Sequence, residues 1–304
     1  MMLKKQMQTG EGRMKEIIAE RRQTRSVIYM LLASLFFATG GLVLKWCDWP
    51  ALAINGARSL FGGIVVGAFM LASHHKLVLN RVTLLGAVSY AAMTTLFVMA
   101  NQQTTAGNAI VLQFSCPVWI VLFNLVLFRK KPSSKELLVL LLVAAGILCF
   151  FLDSLSTGHV LGDMLALVSG FFYAILFMIN SLKGGDAMSS VFLGQIVSML
   201  AFGWMAFSCP WTLPNTLSII WLGACQVGLA YVFFSLGTAL IDPLKAALIS
   251  SIEPVLNPTL VALAGYEQLS GLSLLGAAIV IGAVVWNSIP SGSFVHRRSR
   301  SVRL

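Results

Sequence analysis

Charged residues are scarce in this chain of 304 residues, since only 11% are Asp, Glu, Lys or Arg whereas soluble domains carry roughly 25%. So few charges cannot cover a water-exposed surface, which excludes an ordinary cytosolic enzyme. Disorder is excluded as well, because 58% of the residues are hydrophobic and the mean hydropathy is +0.86. We therefore expect an integral membrane protein.

Cysteine and histidine are too few and too dispersed for a disulfide-linked or metal-binding protein. The five cysteines include no CxxC pair and lie in or beside apolar runs, which is typical of small buried hydrophobic residues. The four histidines do not cluster with acids at metal-ligand spacing, so no metal site is expected. A phosphate-binding GxxxxGKS/T loop is also missing, which argues against direct ATP hydrolysis. No cofactor is expected.

Long hydrophobic runs are abundant, and ten of them are long enough to cross a bilayer as helices. The predicted spans are 27–44, 51–72, 82–100, 107–128, 136–152, 160–180, 189–209, 216–237, 243–264 and 271–289. Nine spans follow the first, so we interpret the first as a retained helix and not as a secretory signal. Three tryptophans at span ends are expected to anchor the helices at the interface: Trp46, Trp49 and Trp211.

The net charge of +10 is distributed as in a membrane protein, which argues against nucleic acid as a partner. If the N-terminus is cytoplasmic, 19 of the 21 Lys and Arg residues fall on the cytoplasmic side, and only Lys45 and Arg58 do not. Flanking basic residues control helix insertion, so both termini are predicted to be cytoplasmic in a multi-pass protein of the cell membrane. The tails 1–26 and 290–304 are then basic cytoplasmic segments.

An internal repeat relates the two halves of the chain. The segment that begins at Leu85 aligns without a gap with the segment that begins at Leu222, at an offset of 137 residues. Residues 27–153 are therefore predicted to form a first repeat of five spans, and residues 160–289 a second. Because five is odd, equivalent spans run in opposite directions. The predicted fold class is an all-α polytopic membrane protein with ten transmembrane helices in two inverted five-helix repeats, an arrangement used for alternating access.

One pattern of the fourth span recurs in the ninth. Its copies are Ala109…Cys116-Pro117-Val118 and Ala246…Glu253-Pro254-Val255, and the second half ends in Gly265-Tyr266-Glu267-Gln268-Leu269. With the ten spans, these features resemble the EamA-type permeases of the drug/metabolite transporter superfamily, over nearly the whole chain. The first copy departs from the family pattern, because Cys116 replaces the Glu of the Glu-Pro pair and Lys130 stands opposite Glu267. The resemblance implies movement of small solutes across the cell membrane. Because the nucleotide-binding loop is missing, a secondary mechanism coupled to an ion gradient, or facilitated exchange, fits better than direct use of ATP.

Glu253 is the strongest single candidate for a functional residue. It lies about 10 residues, or roughly 15 Å, into the ninth span, close to the bilayer midplane. An ionised carboxylate at that depth is costly and usually faces a cavity or a partner. The functional alternatives are a proton carrier, a cation binder and a ligand of a substrate amine. The structural alternative is a side chain that satisfies backbone groups freed by Pro254.

Other polar and aromatic side chains recur at helical spacing within the spans. Aromatic and amide walls would suit an organic solute, whereas the alternative is packing and polar contact between helices. Arg58 is a candidate to bind an anionic group, to pair with an acid or to extend to the interface. The candidates for substrate binding or coupling are Glu253, Gln113, Asn257, Asn101, Tyr90, Tyr173, Tyr231 and Arg58.

The sequence therefore predicts a secondary transporter, expected to be an exporter, for small organic metabolites such as amino acids or drugs. Its expected partners are the small-molecule substrate, the lipid bilayer, and protons or another coupling ion. The alternative is a non-transporting membrane sensor or assembly subunit. A membrane-embedded enzyme is less favoured, because one deep carboxylate without an intramembrane histidine does not make a catalytic set.

Overall fold

The computed structural model describes residues 2–157, 159–266 and 270–288, and every regular element within these ranges is a helix. The α-helices are α1 (Met2–Lys45), α2 (Ala51–Ala72), α3 (Arg81–Gln103), α4 (Ala106–Gln113), α5 (Cys116–Phe128), α6 (Ser134–Thr157), α7 (Val160–Met178), α8 (Ala187–Phe202), α9 (Leu213–Trp221), α10 (Ala230–Thr238), α11 (Pro243–Ser250), α12 (Glu253–Leu263) and α13 (Gly271–Ser288). Short 3-10 segments follow α7 and α8, and π-helical turns over Leu222–Leu229 join α9 to α10. The predicted basic tail 290–304 and the motif residues Glu267, Gln268 and Leu269 lie outside the described residues.

Eight segments of the described ranges are long and apolar enough to cross a membrane. They are 21 to 26 residues long, close to the roughly 20 residues that the hydrocarbon core of a bilayer requires. These segments agree with the first four predicted spans and with the sixth to ninth. The fifth and tenth predicted spans coincide with α6 and α13, which pack against each other. The chain is an all-helical, multi-pass membrane protein.

Large apolar side chains cover the outside of the helix assembly. Phe207, Leu263 and Leu71 are 89%, 81% and 80% exposed in the absence of lipid. Water penalises such exposure, but hydrocarbon chains do not. Polar side chains are buried between the helices instead, among them Asn55, Gln195 and Asn257. Apolar side chains therefore face outward and polar side chains face inward, as expected of a protein surrounded by lipid.

The fourth and ninth spans are each broken into two half-helices, whereas the sequence predicted continuous helices there. The first break separates Gln113 from Cys116, and the second separates Ser250 from Glu253. A proline, Pro117 or Pro254, follows each break within the first turn of the new helix. A proline ring clashes with the carbonyl four residues earlier, and here that carbonyl belongs to the last residue of the preceding half-helix.

The two breaks are related by the same offset of 137 residues as the sequence repeat. Both half-helices before the breaks, α4 and α11, contain eight residues. α4 packs against α12, and α11 packs against α5, so the two broken spans cross at their breaks. Irregular backbone at membrane depth is tolerated where protein surrounds it or where it borders a cavity. The crossing of the broken spans positions the candidate site.

One end of the helix assembly is held by polar contacts between loops. We name it the basic end, and its loops are residues 73–80, 129–133, 182–186 and 239–242. His75 Nε2 lies 2.9 Å from Asp186 Oδ2, and Lys130 Nζ donates to Asp242 Oδ2 at 3.1 Å. Both contacts join the first half of the chain to the second.

The opposite end, which we name the tryptophan end, is held by loops 46–50 and 209–212. Trp49 Nε1 donates to the Pro210 carbonyl at 2.9 Å, and the Trp49 ring centroid lies 4.6 Å from that of Trp211. Trp46 and Trp211 are half exposed, as expected of interfacial anchors, but Trp49 is only 1% exposed. The expectation that Trp49 is an interfacial anchor was therefore wrong, because this residue joins the two halves of the chain inside the protein.

Candidate functional site

A central cavity lies beside both helix breaks, and five of the eight predicted site residues line it. They are Arg58, Gln113, Tyr173, Tyr231 and Glu253. The other lining residues are Phe37, Met93, Thr94, Phe97, Gln226 and Val227. These side chains come from α1, α2, α3, α4, α7, α10, α12 and the π-helical turns. The cavity therefore forms only when both halves of the chain come together.

The cavity encloses about 20 Å³, which is room for one or two water molecules. Pockets that hold organic ligands usually measure roughly 300 to 1,000 Å³. The helices around the cavity must separate before an organic solute can enter. In the observed conformation the central cavity is therefore too small to hold an organic solute.

Glu253 is the first residue of α12, immediately after the second break. The residue is 4% exposed, and its Oε2 atom has no hydrogen-bond partner. The structural alternative, a carboxyl group that satisfies freed carbonyls, receives no support at Oε2. Glu253 therefore brings a buried carboxyl oxygen without a hydrogen-bond partner to the cavity lining.

Arg58 is buried at 1% exposure in the middle of the protein, so the alternative that it extends to the interface is wrong. Its Nη1 donates to Gln226 Oε1 at 3.0 Å, and its Nη2 donates to Asn55 Oδ1 at 3.1 Å. Neither ion pair found in the described part of the chain involves this residue, so the predicted pairing with an acid is not seen there. The neutral amides of Asn55 and Gln226 orient the guanidinium group but do not compensate its positive charge.

An aromatic cluster forms the wall of the cavity next to these two charged residues. The Tyr231 ring lies edge-on to Phe37, with centroids 4.7 Å apart, and edge-on to Tyr90 at 4.8 Å. Tyr173 packs against Phe234 with centroids 5.9 Å apart. The Tyr231 contacts are edge-to-face and the Tyr173 contact is stacked, and both arrangements add stability beyond area burial. The wall is thus made of closely packed aromatic rings.

Gln113, the last residue of α4, is held by the neighbouring helices. Its Nε2 donates to Ser169 Oγ at 2.6 Å, and Ser169 Oγ donates in turn to the Met93 carbonyl at 2.9 Å. This chain of hydrogen bonds connects the first break to α7 and α3. The amide of Gln113 is therefore fixed at the edge of the cavity.

The structure does not bring the other three candidates into the cavity lining. Tyr90 lies behind Tyr231, and its hydroxyl accepts a hydrogen bond from Gln195 Nε2 at 3.2 Å. Asn101 donates to the Phe97 carbonyl of its own helix at 3.0 Å. Asn257 is fully buried, and neither of its amide atoms has a hydrogen-bond partner. Helical spacing alone did not distinguish these residues from the ones that face the cavity.

Gln226 lines the cavity and supports Arg58, but sequence reasoning did not single it out. It precedes Tyr231 by five residues, which lie on different faces of a regular α-helix. The π-helical turns over Leu222–Leu229 carry more residues per turn and bring both side chains to the cavity. The available signal was its amide side chain, the one amide side chain in the eighth predicted span.

Comparisons with known proteins agree with this architecture. The EamA-like transporter family matches residues 24–152. An uncharacterized transporter of Archaeoglobus fulgidus is 24% identical over 265 residues, which cover 84% of this chain and 93% of that protein. The uncharacterized inner membrane transporter YedA of Escherichia coli K12 is 24% identical over 271 residues, which cover 85% and 87%. The uncharacterized transporter YwfM of Bacillus subtilis is 25% identical over 282 residues, which cover 86% and 94%.

A solved crystal structure also matches, with a TM-score of 0.68 at 18% sequence identity. The match covers 88% of this chain and 97% of the other, and it shows a shared fold. The resemblance seen in the sequence is thereby confirmed: the chain is a multi-pass membrane protein, its residues 24–152 are similar to the EamA-like transporter family, and most of its length is similar to uncharacterized transporters.

Proposed function

We propose that this protein is a secondary transporter that exports small organic metabolites, such as amino acids or drugs, across the cell membrane by alternating access. The observation that carries the proposal is the central cavity at the crossing of two broken spans. Transporters place their sites at such discontinuous helices, close to the membrane midplane. The Glu253 carboxyl group and the Arg58 guanidinium group supply polar contacts for a solute there.

The proposed architecture is an inverted repeat of two five-helix units, residues 27–153 and 160–289. The gap-free alignment at an offset of 137 residues supports it, and so does the equal length of α4 and α11. α6 and α13 would complete the two units as the fifth and tenth spans. In this arrangement both basic tails are cytoplasmic, and the basic end faces the cytoplasm.

The contacts at the two ends of the assembly would act as alternating barriers. Opening the basic end requires the separation of Lys130 from Asp242 and of His75 from Asp186. Opening the tryptophan end requires Trp49 to leave Pro210. If the two halves rock about the cavity, one set of contacts breaks while the other stays intact.

Coupling is proposed to occur at Glu253. Its unsatisfied Oε2 atom can take up a proton or another cation when no solute is present. Exchange of that ion for solute would drive export against a gradient. In proteoliposomes, Glu253→Gln should then retain solute exchange but lose flux driven by a proton gradient.

The proposal is tested by distance measurements with spin labels on the full chain in liposomes. One pair, Trp46→Cys with Leu213→Cys, reports on the tryptophan end, and the other, Lys131→Cys with Lys183→Cys, on the basic end. A variant without the native cysteines is the background. We expect one distance to lengthen while the other keeps its closed value when a proton gradient is applied. Two invariant distances without solute flux would overturn the proposal and favour a sensor or assembly subunit.

A further inference from the structure

Besides Glu253, one more carboxyl group of the described residues is buried with an oxygen that lacks a hydrogen-bond partner. It belongs to Asp163, which is 0% exposed and lies in the first turn of α7. The carboxyl groups of Asp186 and Asp242 at the basic end are instead paired with basic side chains. A buried carboxyl group without a counter-charge is costly, so its presence in Asp163 calls for a function.

The corner between α3 and α4 holds the Asp163 side chain in place. Thr104 Oγ1 donates to Asp163 Oδ1 at 2.8 Å, which leaves Oδ2 as the oxygen without a partner in the described part of the chain. The corner belongs to the tryptophan end, because the neighbouring Gln102 Nε2 donates to the Trp49 carbonyl at 2.8 Å. Asp163 therefore carries its unpartnered oxygen on the tryptophan side of the protein.

Asp163 lies well away from the central cavity. Tyr173, which lines the cavity, follows it by ten residues on α7, or about 15 Å along the helix axis. A proton can cross such a distance only by steps between hydrogen-bonded groups. Any exchange of protons between Asp163 and Glu253 therefore requires polar groups in between.

Asn101 of α3 is the first such group. It lies one helical turn from Thr104, which bonds Asp163, and one turn from Phe97, which lines the cavity. The residue is 3% exposed, and its Oδ1 has no partner within the described ranges. Asn101 thus places a free acceptor between Asp163 and the cavity.

Asn257 is the second such group, one helical turn beyond Glu253 on α12. It is 0% exposed, and neither of its amide atoms has a partner among the described residues. A Cβ at Gly41 would overlap Asn257 Oδ1 and would lie 3.1 Å from Ala106 Cβ. Because Ala106 follows Thr104 by two residues, Asn257 adjoins the same corner from the side of Glu253.

Water molecules bound between these side chains would satisfy their unpartnered atoms. Buried polar groups without protein partners are normally hydrogen bonded to ordered water. An amide group both donates and accepts hydrogen bonds, so a row of water molecules can continue past it. We name these four side chains the polar file: Asp163, Asn101, Asn257 and Glu253.

We propose that Asp163 is a proton-relay site, which passes the coupling proton from the tryptophan end to Glu253 along the polar file. This inference rests on the proposed function and adds a route to it. A proton from the aqueous phase binds Asp163 Oδ2, and the neutral carboxyl group then donates a proton to water held by Asn101 and Asn257. That water gives up a proton to the Glu253 carboxylate, and Asp163 is again a carboxylate. The route is separate from the solute, since the cavity lining includes Glu253 alone of the polar file.

The titratable groups around the two ends of the polar file are compatible with this route. Beside Asp163 lies the partly exposed His159, whose Nδ1 is 3.1 Å from the Gln103 carbonyl and which can exchange protons with water. The charged or titratable groups that share the cavity with Glu253 or interact with it electrostatically include no carboxyl or imidazole group among the described residues. They are Arg58, Cys116, Tyr173 and Tyr231.

Proton uptake by the purified full chain in nanodiscs tests the relay without any solute. A rapid drop from alkaline to acidic pH is followed by time-resolved infrared spectroscopy. The C=O stretching band of a protonated carboxyl group that is missing in Glu253→Gln is assigned to Glu253. In Asp163→Asn this band should rise about a hundredfold more slowly, to the same final amplitude.

Two matched variants accompany Asp163→Asn. Asp163→Glu keeps a carboxyl group and should retain most of the rate. Asp48→Asn makes the same change at an exposed aspartate of the tryptophan end and should leave the rate unaltered.

Asn257→Leu tests the water in the polar file independently. Leucine has a similar shape but cannot bind water, so the Glu253 band should again rise more slowly. Because the amide has no partner among the described residues, its loss should not lower the melting temperature. A purely structural role for Asn257 would give the reverse, a lower melting temperature with an unchanged rate.

The inference is overturned if the Glu253 band rises as fast in Asp163→Asn as in the unmodified protein, or if Asn257→Leu loses stability alone. With the Glu253 band still present, either result would reject the route and retain the proposed coupling at Glu253. Absence of any band that depends on Glu253 would reject the proposed proton coupling together with the relay.

Discussion

Gly40 of α1 lies directly against the Gln226 side chain, and a Cβ at Gly40 would come 2.8 Å from Gln226 Nε2. Gln226 in turn accepts a hydrogen bond from Arg58. The absence of a side chain at Gly40 therefore allows Gln226 to hold the guanidinium in place. This relationship couples α1 to the charged side of the cavity.

Gly40→Ala should weaken solute binding with little loss of stability. The methyl group would displace the flexible end of Gln226, so Arg58 loses one neutral acceptor while the helices keep their packing. We expect the apparent affinity for transported solute to fall by about fivefold. Flux measurements in proteoliposomes at varied solute concentration check this.

Gly63→Ala is the matched control for that variant. It places the same methyl group on α2, where the nearest atom is Gln195 Oε1 at 3.7 Å, an ordinary van der Waals contact. Its flux should equal that of the unmodified protein. If Gly40→Ala behaves like Gly63→Ala, the Gln226–Arg58 contact is irrelevant to binding.

Cross-linking of the basic end should stop transport reversibly. Lys130 Nζ and Asp242 Oδ2 are 3.1 Å apart, so cysteines at both positions lie within reach of a short thiol-cleavable cross-linker. The cross-link would prevent that end from opening, and flux should fall to background until a reductant is added. Single variants at either position, treated in the same way, should keep their flux. Full activity of the cross-linked protein would contradict the barrier role of this end.

Trp49 should contribute far more to stability than tryptophans on the lipid-facing surface. Trp49→Ala removes a buried ring and its hydrogen bond to Pro210, which should cost about 3 to 5 kcal/mol. Trp49→Phe keeps most of the ring and should cost about 1 kcal/mol. Trp204→Ala is the control, because Trp204 is 64% exposed. Thermal unfolding in detergent measures all three, and equal melting temperatures for Trp49→Ala and Trp204→Ala would refute the prediction.

The two cysteines at the tryptophan end should react slowly with maleimides at neutral pH. Burial raises the pKa of the Cys47 thiol and also the pKa of the Cys209 thiol. Because a raised pKa keeps the thiol protonated, the reactive thiolate should increase about tenfold per pH unit as pH rises toward that pKa. Cys209 should react first, since Cys47 is only 5% exposed. Mass spectrometry of Cys47→Ser and Cys209→Ser separates the two sites, and a rate independent of pH would contradict this prediction.

The spans were predictable because hydropathy over about 20 residues reports burial in lipid directly. The breaks at Phe114–Ser115 and Ser251–Ile252 were not predicted, although their cause is visible in the sequence. Pro117 and Pro254 were noted as part of the family pattern, but not as residues that end the preceding half-helix. The clash of a proline ring with the carbonyl four residues earlier would have located both breaks.

The sequence predicted those site residues whose charged side chains are energetically costly to bury in a membrane. Glu253 and Arg58 stand out because a membrane span rarely holds a charge without a reason. Gln226 did not stand out, since the π-helical turns change the face on which it lies. Asn101 and Asn257 have the same helical spacing as the lining residues but contact other neighbours. Helical spacing identifies the side of a helix on which a residue lies, but not whether the residue lies at the level of the cavity along the helix axis.

The smallness of the central cavity has a mechanical consequence. Every solute molecule that enters must push helices apart against the lateral pressure of the surrounding lipids. Turnover should therefore depend on the fluidity of the host bilayer, and stiff, saturated acyl chains should slow it. The bilayer therefore affects the transport rate directly, because the protein must expand against the lateral pressure of the lipids in each cycle.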